Sequence, residues 1–420
     1  LSTAGIVVRS NDIARSHLEG RAAVRAIETA PDLRDYVSAE AAAGAVEAIV
    51  ESLFPERGDG RIPTAAVTGT NGKTTVSRMV AAILDRAGHR VGLATTDGVS
   101  IAGREVARGD MAGLQGAGYV LRDPLASAAV LETARGGIIA TGLGYDACDV
   151  AAVLNVADDH LGMDGVSTRE EMAAVKGTVL RAARAAAVLN ADDPLCVGLA
   201  SRSAASELIW FALDAGNPVV REHLAGGGRA VTLDDGGQRM VVHEAGGAGE
   251  LMAVADIPAT FAGRAVFNVV NALAAAAIGL GLGLERDAIM RGLAGFESDV
   301  RQSAGRCNFV DGLPYRLLVD YAHNPASVAA LCGFLAGEQV AGRRMLILTT
   351  AGNREEKHFA DIAAAAAGHF DSYLCTTNLP RRRSVAEVAA LLGAGLVAAG
   401  VQPSAIREAS SESEALDLAL

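Results

Sequence analysis

The hydrophobic pattern of the chain changes after residue 60. Residues 1–60 mix a short apolar piece with alanine-rich amphipathic segments and end in a turn-forming run at 55–60. Beyond it, a strand-like apolar run at 64–68 is followed by a glycine-rich turn, a helical pattern at 74–87 and another strand-like run at 91–95. This alternation predicts βαβ units and hence a parallel sheet. We interpret residues 1–60 as a linker or the remnant of an upstream domain.

The alternation continues along the chain with one interruption. Further buried strands are predicted at 128–132, 150–155 and 186–190. Short apolar segments between glycine-rich turns at 205–262 predict a small antiparallel β insertion. A second alternating unit begins with a strand at 316–321, and the tail after residue 376 shows only helical patterns. The chain is therefore predicted to be an α/β protein of two domains, joined near residue 298 with a cleft between them.

Composition narrows the class of ligand. The chain has 49 acidic and 37 basic residues, a net charge of -12, and aromatic residues make up only 4% of it. An acidic protein with few aromatic rings is poorly suited to nucleic acid or to anionic lipid. No apolar run reaches the roughly 18 residues of a membrane span. We therefore expect small-molecule partners, no nucleic acid and no membrane.

The cysteines and the start of the chain add two expectations. Five cysteines lie far apart without a CxxC pair, which argues against a zinc site or a disulfide framework and fits a cytoplasmic location. The sequence begins without Met and without a signal-like segment, and we expect it to be a fragment of something longer. The sequence leaves open whether the chain forms a homo-oligomer.

Lysine is rare in this chain. Among 37 basic residues only Lys73, Lys176 and Lys357 are lysines, so arginine supplies positive charge almost everywhere else. A lysine ammonium is compact and can lose its proton, whereas a guanidinium is broad and permanently charged. Each lysine therefore marks a position where arginine could fail. Lys176, in a helical pattern, and Lys357, in a polar loop, also fit ordinary surface positions.

A glycine-rich segment between a predicted strand and a predicted helix carries the strongest chemical signal. This phosphate loop, residues 69–75, comprises Gly69, Thr70, Asn71, Gly72, Lys73, Thr74 and Thr75. Such a loop can surround phosphates with backbone N–H groups, and the dipole of the following helix favours the same negative charge. Lys73 would reach the outer phosphate oxygens, and the Thr74 hydroxyl could be a ligand of Mg²⁺.

Acidic and imidazole side chains follow two other predicted strands. Glu132 ends the strand at 128–132, and Asp159 and His160 follow the strand at 150–155. Ligands of α/β sheets gather at the carboxyl ends of strands, so a site role is plausible for all three residues. Carboxylate oxygen suits Mg²⁺, so Glu132 could hold a metal, whereas His160 could bind Mn²⁺ or orient a substrate. A solvated strand end, a capping Asp and a core His are the alternatives.

Four further residues are candidates for nucleotide contacts. Asn268 and Asn271 begin a long alanine-rich helix, where their amides could pair with a purine edge or could cap the helix. Arg306 precedes the strand at 316–321 and could neutralise phosphate charge. Asp320 stands near the end of that strand and could bind a ribose hydroxyl. An ordinary turn with caps is the alternative for the last two.

Six motifs, in this order, resemble those of the Mur ligase superfamily. They are GTNGKTT, LETARGG, DHLG, FNVVNALAA, GRCN and VDYAHNP, beginning at residues 69, 131, 159, 267, 305 and 319. Within the superfamily, the runs TTDG, VLRDP and ETARGG resemble the C-terminal half of the cyanophycin synthetase family. The resemblance implies a P-loop central ATPase domain at 61–297 and a Rossmann-like C-terminal α/β domain at 298–420.

The resemblance also implies an ATP-dependent ligase that forms an amide through an acyl phosphate. It assigns the phosphate loop to ATP, magnesium to Thr74, Glu132 and His160, and further nucleotide contacts to Asn268, Asn271, Arg306 and Asp320. Lys176 matches a lysine that is carbamylated in many relatives. The implied catalytic residues are Lys73, Lys176 and His160.

The expected reaction joins L-arginine to the aspartate side-chain carboxylate of a cyanophycin-like polymer, with ATP and Mg²⁺ as cofactors. An ATP-grasp module upstream is the expected partner domain. One alternative is another Mur-like ligase, acting on a cell-wall or γ-glutamyl substrate. A nucleotide-binding module without turnover is a second. A P-loop kinase or GTPase fits less well, because the second α/β unit carries Asp320 and His323.

Overall fold

Uninterrupted apolar runs form the strands of one large sheet. The computed structural model describes residues 61–159, 161–340 and 342–419. Residues 1–60, interpreted above as a linker, lie outside the described residues. The strands of the sheet are β1 Thr64–Thr68, β2 Val91–Thr95, β3 Gly98–Ile101, β4 Arg104–Arg108, β5 Ala128–Glu132, β6 Cys148–Val153, β7 Ala183–Asn190, β8 Glu207–Phe211, β9 Arg229–Leu233, β10 Arg239–Glu244 and β11 Gly247–Ala253.

The sheet is parallel at its centre and antiparallel at both edges. Its strand order is β11-β10-β9-β8-β7-β6-β1-β5-β2-β3-β4. The neighbouring pairs from β9 to β2 are parallel. All residues of β1 and β5 are buried, as expected for strands covered by helices on both faces. The strands predicted at 64–68, 91–95 and 128–132 are confirmed with the same bounds.

The antiparallel part at 205–262 is smaller than the sequence pattern suggests. β8 and β9 continue the parallel sheet, and only β10 and β11 are antiparallel, at its edge. The last three residues of β8, Ile209, Trp210 and Phe211, are all buried. A short strand that is buried on both faces shows no alternation of apolar and polar residues. Its sequence therefore does not reveal whether it belongs to a parallel sheet or to an antiparallel hairpin.

Helices cover both faces of the large sheet. They are α1 Lys73–Arg86, α2 Leu114–Arg122, α3 Arg135–Thr141, α4 Arg169–Lys176, α5 Thr178–Arg181, α6 Pro194–Val197, α7 Pro218–Ala225, α8 Val266–Gly281 and α9 Arg286–Ala294. One apolar layer is formed with α1, α8 and α9. The opposite layer is formed with α2 and with α4 to α7. Within the described residues, no helix is long and apolar enough to span a membrane.

The C-terminal part of the chain forms two smaller sheets. Its elements are β12 Asn308–Val310, β13 Leu317–Val319, α10 Pro325–Ala336, β14 Met345–Thr349, α11 Glu356–Ala366, β15 Ser372–Thr376, α12 Val385–Ala398, β16 Ile406–Glu408 and α13 Glu412–Ala419. β12 and β13 pair antiparallel, whereas β14, β15 and β16 form a parallel sheet. The sequence pattern did not predict β16, because it has three residues and two of them are exposed.

An aromatic cluster packs the two parts against each other. Phe261 precedes α8, and its ring centroid lies 5.1 Å from that of Phe334 in α10 and 5.7 Å from that of Phe309 in β12. Beside the cluster, Glu338 forms ion pairs with Arg264 and Arg316. These contacts hold the C-terminal part against the segment that precedes α8.

Gly292 provides a test of the packing between α9 and α1. A Cβ at this position would collide with the backbone of Ile83 in α1. Gly292→Ala should therefore lower the free energy of unfolding by about 1–3 kcal/mol. Urea unfolding measures this through the fluorescence of Trp210, the single tryptophan, which lies in the same large sheet.

The matched control for Gly292 is Gly118→Ala, which lies inside another helix, α2. A Cβ at position 118 would meet only the side chain of Arg122, at 3.8 Å. Since alanine favours helix over glycine, this variant should be neutral or slightly more stable than the parent. Equal urea midpoints for the two variants would contradict the packing described here.

Candidate active site

The phosphate loop connects β1 to α1 at the carboxyl edge of the parallel strands, and its last three residues, 73–75, form the first turn of α1. α1 begins at Lys73 and has no side-chain cap, so the N–H groups of its first turn are available to an anion. Gly72 has a φ of 85°, in the left-handed region, and a Cβ there would collide with the side-chain oxygen of Asn271. The left-handed φ therefore favours glycine at position 72, and any larger residue would also require the Asn271 side chain to move.

Three successive carbonyl oxygens of the phosphate loop accept hydrogen bonds from side chains. The pairs are Lys176 Nζ with Gly69 O at 2.8 Å, Lys73 Nζ with Thr70 O at 3.0 Å, and Asn155 Nδ2 with Asn71 O at 3.1 Å. The backbone N–H groups of residues 70 and 71 in turn donate to Asn155 Oδ1, at 3.1 and 2.8 Å. Sequence reasoning missed Asn155, although its position just after β6 is a signal that could have found it.

Glu132 contacts Thr74 of the phosphate loop. Thr74 Oγ1 donates to Glu132 Oε2 at 2.9 Å. Thr96, which follows β2, donates to the same carboxylate through its backbone N–H at 3.1 Å and its hydroxyl at 2.8 Å. Glu132 is only 2% exposed, so these three hydrogen bonds support a buried carboxylate. The sequence predicted Glu132 and Thr74 for this site and missed the role of Thr96.

The donor atoms of this cluster fit a magnesium ion. A carboxylate and a hydroxyl are hard oxygen ligands, and Mg²⁺ commonly uses one or two protein ligands together with water and phosphate oxygens. Within the described ranges, no group of three His, Cys, Asp or Glu side chains is arranged to hold a metal by itself. His160, the third ligand expected from the sequence, lies outside the described residues.

Lys176, the last residue of α4, points inward toward the phosphate loop. Its side chain is buried, and burial is the main cause that lowers its pKa to about 7, while the charge of Lys73 lowers the pKa further. A lysine with this pKa is partly neutral near pH 7, as carbamylation requires. The structure thus places Lys176 beside the predicted site rather than at the surface.

Asp159 contacts two side chains from the C-terminal part of the chain. One carboxylate oxygen lies 3.4 Å from His323 Nε2, and the other lies 3.4 Å from Arg354 Nη2. Asp159 and Arg354 are each 7% exposed. The sequence placed Asp159 near the site and missed Arg354, because a polar loop with several charges is usually exposed to solvent.

Asn268 and Asn271 lie on the buried side of the first turns of α8. Asn268 Nδ2 donates to the backbone oxygen of Ala259 at 2.7 Å, and Asn271 Nδ2 donates to Asn268 Oδ1 at 3.0 Å. The side-chain oxygen of Asn271 faces Gly72 of the phosphate loop. Asn271 therefore contacts the loop, whereas Asn268 accepts the hydrogen bond that orients the Asn271 amide.

Arg306 and Asp320 lie on the C-terminal side of the same cleft. The Arg306 guanidinium stacks 4.3 Å from the centre of the Tyr321 ring, and its Nη2 lies 3.7 Å from Asp97 Oδ1. Asp320 accepts two backbone N–H groups, at 2.8 and 2.7 Å, and burial raises its pKa. Arg306 thus reaches the central sheet, and Asp320 is fixed by the backbone around it.

Lys357 is not part of this arrangement. It is exposed at the start of α11 and forms an ion pair with Asp361 at 2.8 Å, one helical turn further on. Of the three lysines, the structure therefore brings Lys73 and Lys176 to the phosphate loop and leaves Lys357 at the surface.

Comparisons with known proteins agree with this arrangement. Residues 67–279 match the Mur ligase middle domain, and residues 305–420 match the Mur ligase, glutamate ligase domain. The chain belongs to the Mur ligase family. Its fold resembles that of Mycobacterium tuberculosis folylpolyglutamate synthase complexed with ADP, with a TM-score of 0.62 and 22% identity, covering 86% of this chain and 83% of that one.

Two curated relatives of this Mur ligase are named as different enzymes. The chain is 35% identical over 403 residues to the cyanophycin synthetase of Geminocystis herdmanii, covering 95% of this chain and 46% of that protein. It is 29% identical over 335 residues to a UDP-N-acetylmuramoyl-L-alanyl-D-glutamate–2,6-diaminopimelate ligase of Corynebacterium efficiens, covering 78% and 60%. The chain therefore spans about half the length of the cyanophycin synthetase that it matches.

In this Mur ligase, the burial of Lys176 should couple stability to pH. The amine has a pKa of about 7 in the folded protein and its usual value of 10.5 when the chain is unfolded. Between these values the unfolded chain binds more protons, so the free energy of unfolding should rise with pH, by up to about 1.4 kcal/mol per pH unit. Lys176→Met should lack this contribution.

The measurement compares urea unfolding of the parent and Lys176→Met between about pH 7 and pH 10 in carbonate-free buffer, which prevents carbamylation. Groups that titrate in both proteins cancel in the difference. The parent should gain stability over the variant as the pH rises. Parallel pH profiles would show that Lys176 is not buried as an amine.

Proposed function

We propose that this chain is an ATP-dependent amide ligase that joins L-arginine to the aspartate side-chain carboxylate of a cyanophycin-like polymer. The observation that carries the proposal is that Lys73, Thr74 and Glu132 lie together at the phosphate loop. A lysine is suited to bind phosphate oxygens, and a hydroxyl and a carboxylate are suited to bind the accompanying metal ion, so the three groups together could bind a polyphosphate with its metal. The choice of arginine and aspartate is supported by the similarity to cyanophycin synthetase.

The reaction requires two bond exchanges. First, an oxygen of the acceptor carboxylate attacks the γ-phosphorus of ATP, and the bond from that phosphorus to ADP breaks. Second, the amine nitrogen attacks the carbonyl carbon of the acyl phosphate, phosphate leaves, and the amine loses a proton. Negative charge on the transferring phosphoryl group must be stabilised in the first step. The proposal gives this role to Lys73 and to the N–H groups at the start of α1.

Thr74 and Glu132 would hold Mg²⁺, with His160 as the further expected ligand. A bound Mg²⁺ would neutralise charge on the phosphate oxygens. The hydrogen bonds from Thr96 keep the Glu132 carboxylate oriented toward Thr74. If Lys176 is carbamylated, its new carboxylate would place a negative charge near Lys73 and would favour binding of a cation there.

His160 and His323 are the candidates for accepting the proton of the amine. The His323 ring lies between Asp159 and the backbone oxygen of Tyr321, which is 2.9 Å from Nδ1. It therefore belongs to the C-terminal part but faces the central sheet. Closure of the C-terminal part over the nucleotide would complete the site and would exclude water from the acyl phosphate.

We also propose a domain division and a location. A central ATP-binding domain at 61–297 and a C-terminal domain at 298–420 are supported by the separate sheets before and after residue 298. A cytoplasmic location is supported by the five free, buried cysteines, which suit a reducing compartment. The upstream ATP-grasp module and the homo-oligomer remain predictions.

A ligase for a cell-wall or γ-glutamyl substrate is the second candidate function. It is favoured by the similarity to the diaminopimelate ligase. Both candidates share the ATP chemistry and differ in the amine and in the acceptor. The incoming amine therefore decides between them.

Release of ADP should require both an aspartate-rich primer and L-arginine. The experiment supplies the purified chain with ATP, Mg²⁺ and primer, and adds arginine, lysine, other amino acids or no amine in turn. A requirement for a different amine would retain the ligase and reject arginine. Release without any amine would favour a kinase or GTPase, and ATP binding without turnover would favour a binding module.

Lys73→Ala should reduce ADP release by at least about 10²-fold, because the phosphoryl group loses a fixed positive charge in a partly buried site. Lys357→Ala is the matched control, since it removes an exposed lysine whose ion pair lies on the surface of α11. It should leave the rate unchanged. Near-normal turnover by Lys73→Ala would reject the assignment of the phosphate loop.

A further inference from the structure

We propose that Asn324 is a positioning residue that links closure of the C-terminal part to the conformation of the phosphate loop. Asn324 precedes α10, and its side chain meets that of Asn71, a residue of the phosphate loop 253 positions earlier. The contact joins the two parts of the chain directly at the loop expected to bind the nucleotide. Its effect on catalysis rests on the proposed function, whereas its effect on the loop does not.

The two side chains form a reciprocal amide pair. Asn324 Nδ2 donates to Asn71 Oδ1 at 2.8 Å, and Asn71 Nδ2 donates to Asn324 Oδ1 at 3.3 Å. Asn324 is fully buried. Buried amides without partners cost free energy, so separating the two parts of the chain requires water to replace both bonds. The pair therefore favours the arrangement seen in the structure, in which the two parts meet at the phosphate loop.

Asn71 is held from two sides by residues of different parts of the chain. Asn155, in the central part, binds the backbone N–H and the backbone oxygen of Asn71, at 2.8 and 3.1 Å. Asn324, in the C-terminal part, binds only its side chain. The backbone bonds remain when the C-terminal part moves away, whereas the side-chain bonds do not. Domain closure thus adds a second restraint to the residue next to Gly72.

Asn324 is itself held rigidly by the start of α10. Its Oδ1 also accepts the backbone N–H of Ser327 at 2.9 Å, and the Ser327 hydroxyl accepts the backbone N–H of Asn324 at 3.2 Å. This capping box orients the Asn324 side-chain amide independently of its contact with Asn71. The position of α10 is therefore transmitted to the phosphate loop through one side chain.

Asn324→Ser separates the two roles of this residue. Serine is a good N-cap, so α10 should stay intact, but its side chain is too short to pair with Asn71. Ser327→Ala is the matched control, because it weakens the capping box and leaves the amide pair in place. Asn324→Ser should raise the KM for ATP about tenfold with a smaller change in kcat, and Ser327→Ala should change it less than about twofold.

A double-mutant cycle tests whether the effect passes through Asn71. If it does, Asn71→Ser combined with Asn324→Ser should have the same KM for ATP as Asn71→Ser alone. Independent, additive effects of the two substitutions would overturn the proposal. So would an Asn324→Ser protein that cannot be distinguished from Ser327→Ala.

Hydrogen exchange gives a readout that does not depend on ligase activity. With ADP and Mg²⁺ as the only ligands, a peptide spanning 69–76 should exchange faster in Asn324→Ser than in the parent, while the start of α10 keeps its protection. Equal exchange of the phosphate loop in Asn324→Ser and Ser327→Ala would overturn the proposal even in an active enzyme. Faster exchange in a protein without ligase activity would support the contact and reject the proposed function.

Discussion

The adjacency of three parallel strands is the constraint on which the site depends. β1 lies between β5 and β6, so the segments that follow these strands begin about one strand spacing, roughly 5 Å, apart. This adjacency brings Glu132 against Thr74 and Asn155 against the backbone of the phosphate loop. Considered alone, each of these side chains is an ordinary polar side chain. The strand order turns them into one connected site at the carboxyl edge.

The second constraint is electrostatic. Burial is the largest effect that disfavours protonation of Lys176, the charges of Lys73 and Arg135 act in the same direction, and Asp159 opposes them. A neutral amine still donates a hydrogen bond, so the contact from Lys176 to Gly69 O does not require the charge. The fold can therefore bury a lysine here without an ion pair. A polyphosphate bound in the loop would offset the remaining positive charge and would stabilise the folded protein by mass action.

The parts of the site that the sequence predicts are those with local signals. The phosphate loop and Asp159 follow recognisable strands, Glu132 ends one, and the rarity of lysine distinguishes Lys176. Thr96 and Asn324 could not be assigned in this way, because their roles arise from contacts between segments far apart in sequence. The same reason explains β16: its three residues become a strand only because β15 offers a free edge. Asn155 differs from them, because its position just after β6 is a local signal.

The two parts of the chain are joined by contacts of different physical character. Phe261, Phe309 and Phe334 form an apolar cluster, and water does not compete for such a contact. Near the loop the contacts are polar, from Asn324 to Asn71 and from His323 to Asp159. Water can replace polar contacts at little net cost once they are exposed. The two parts are therefore joined by an apolar contact whose strength comes from excluding water and by polar contacts whose net contribution is small.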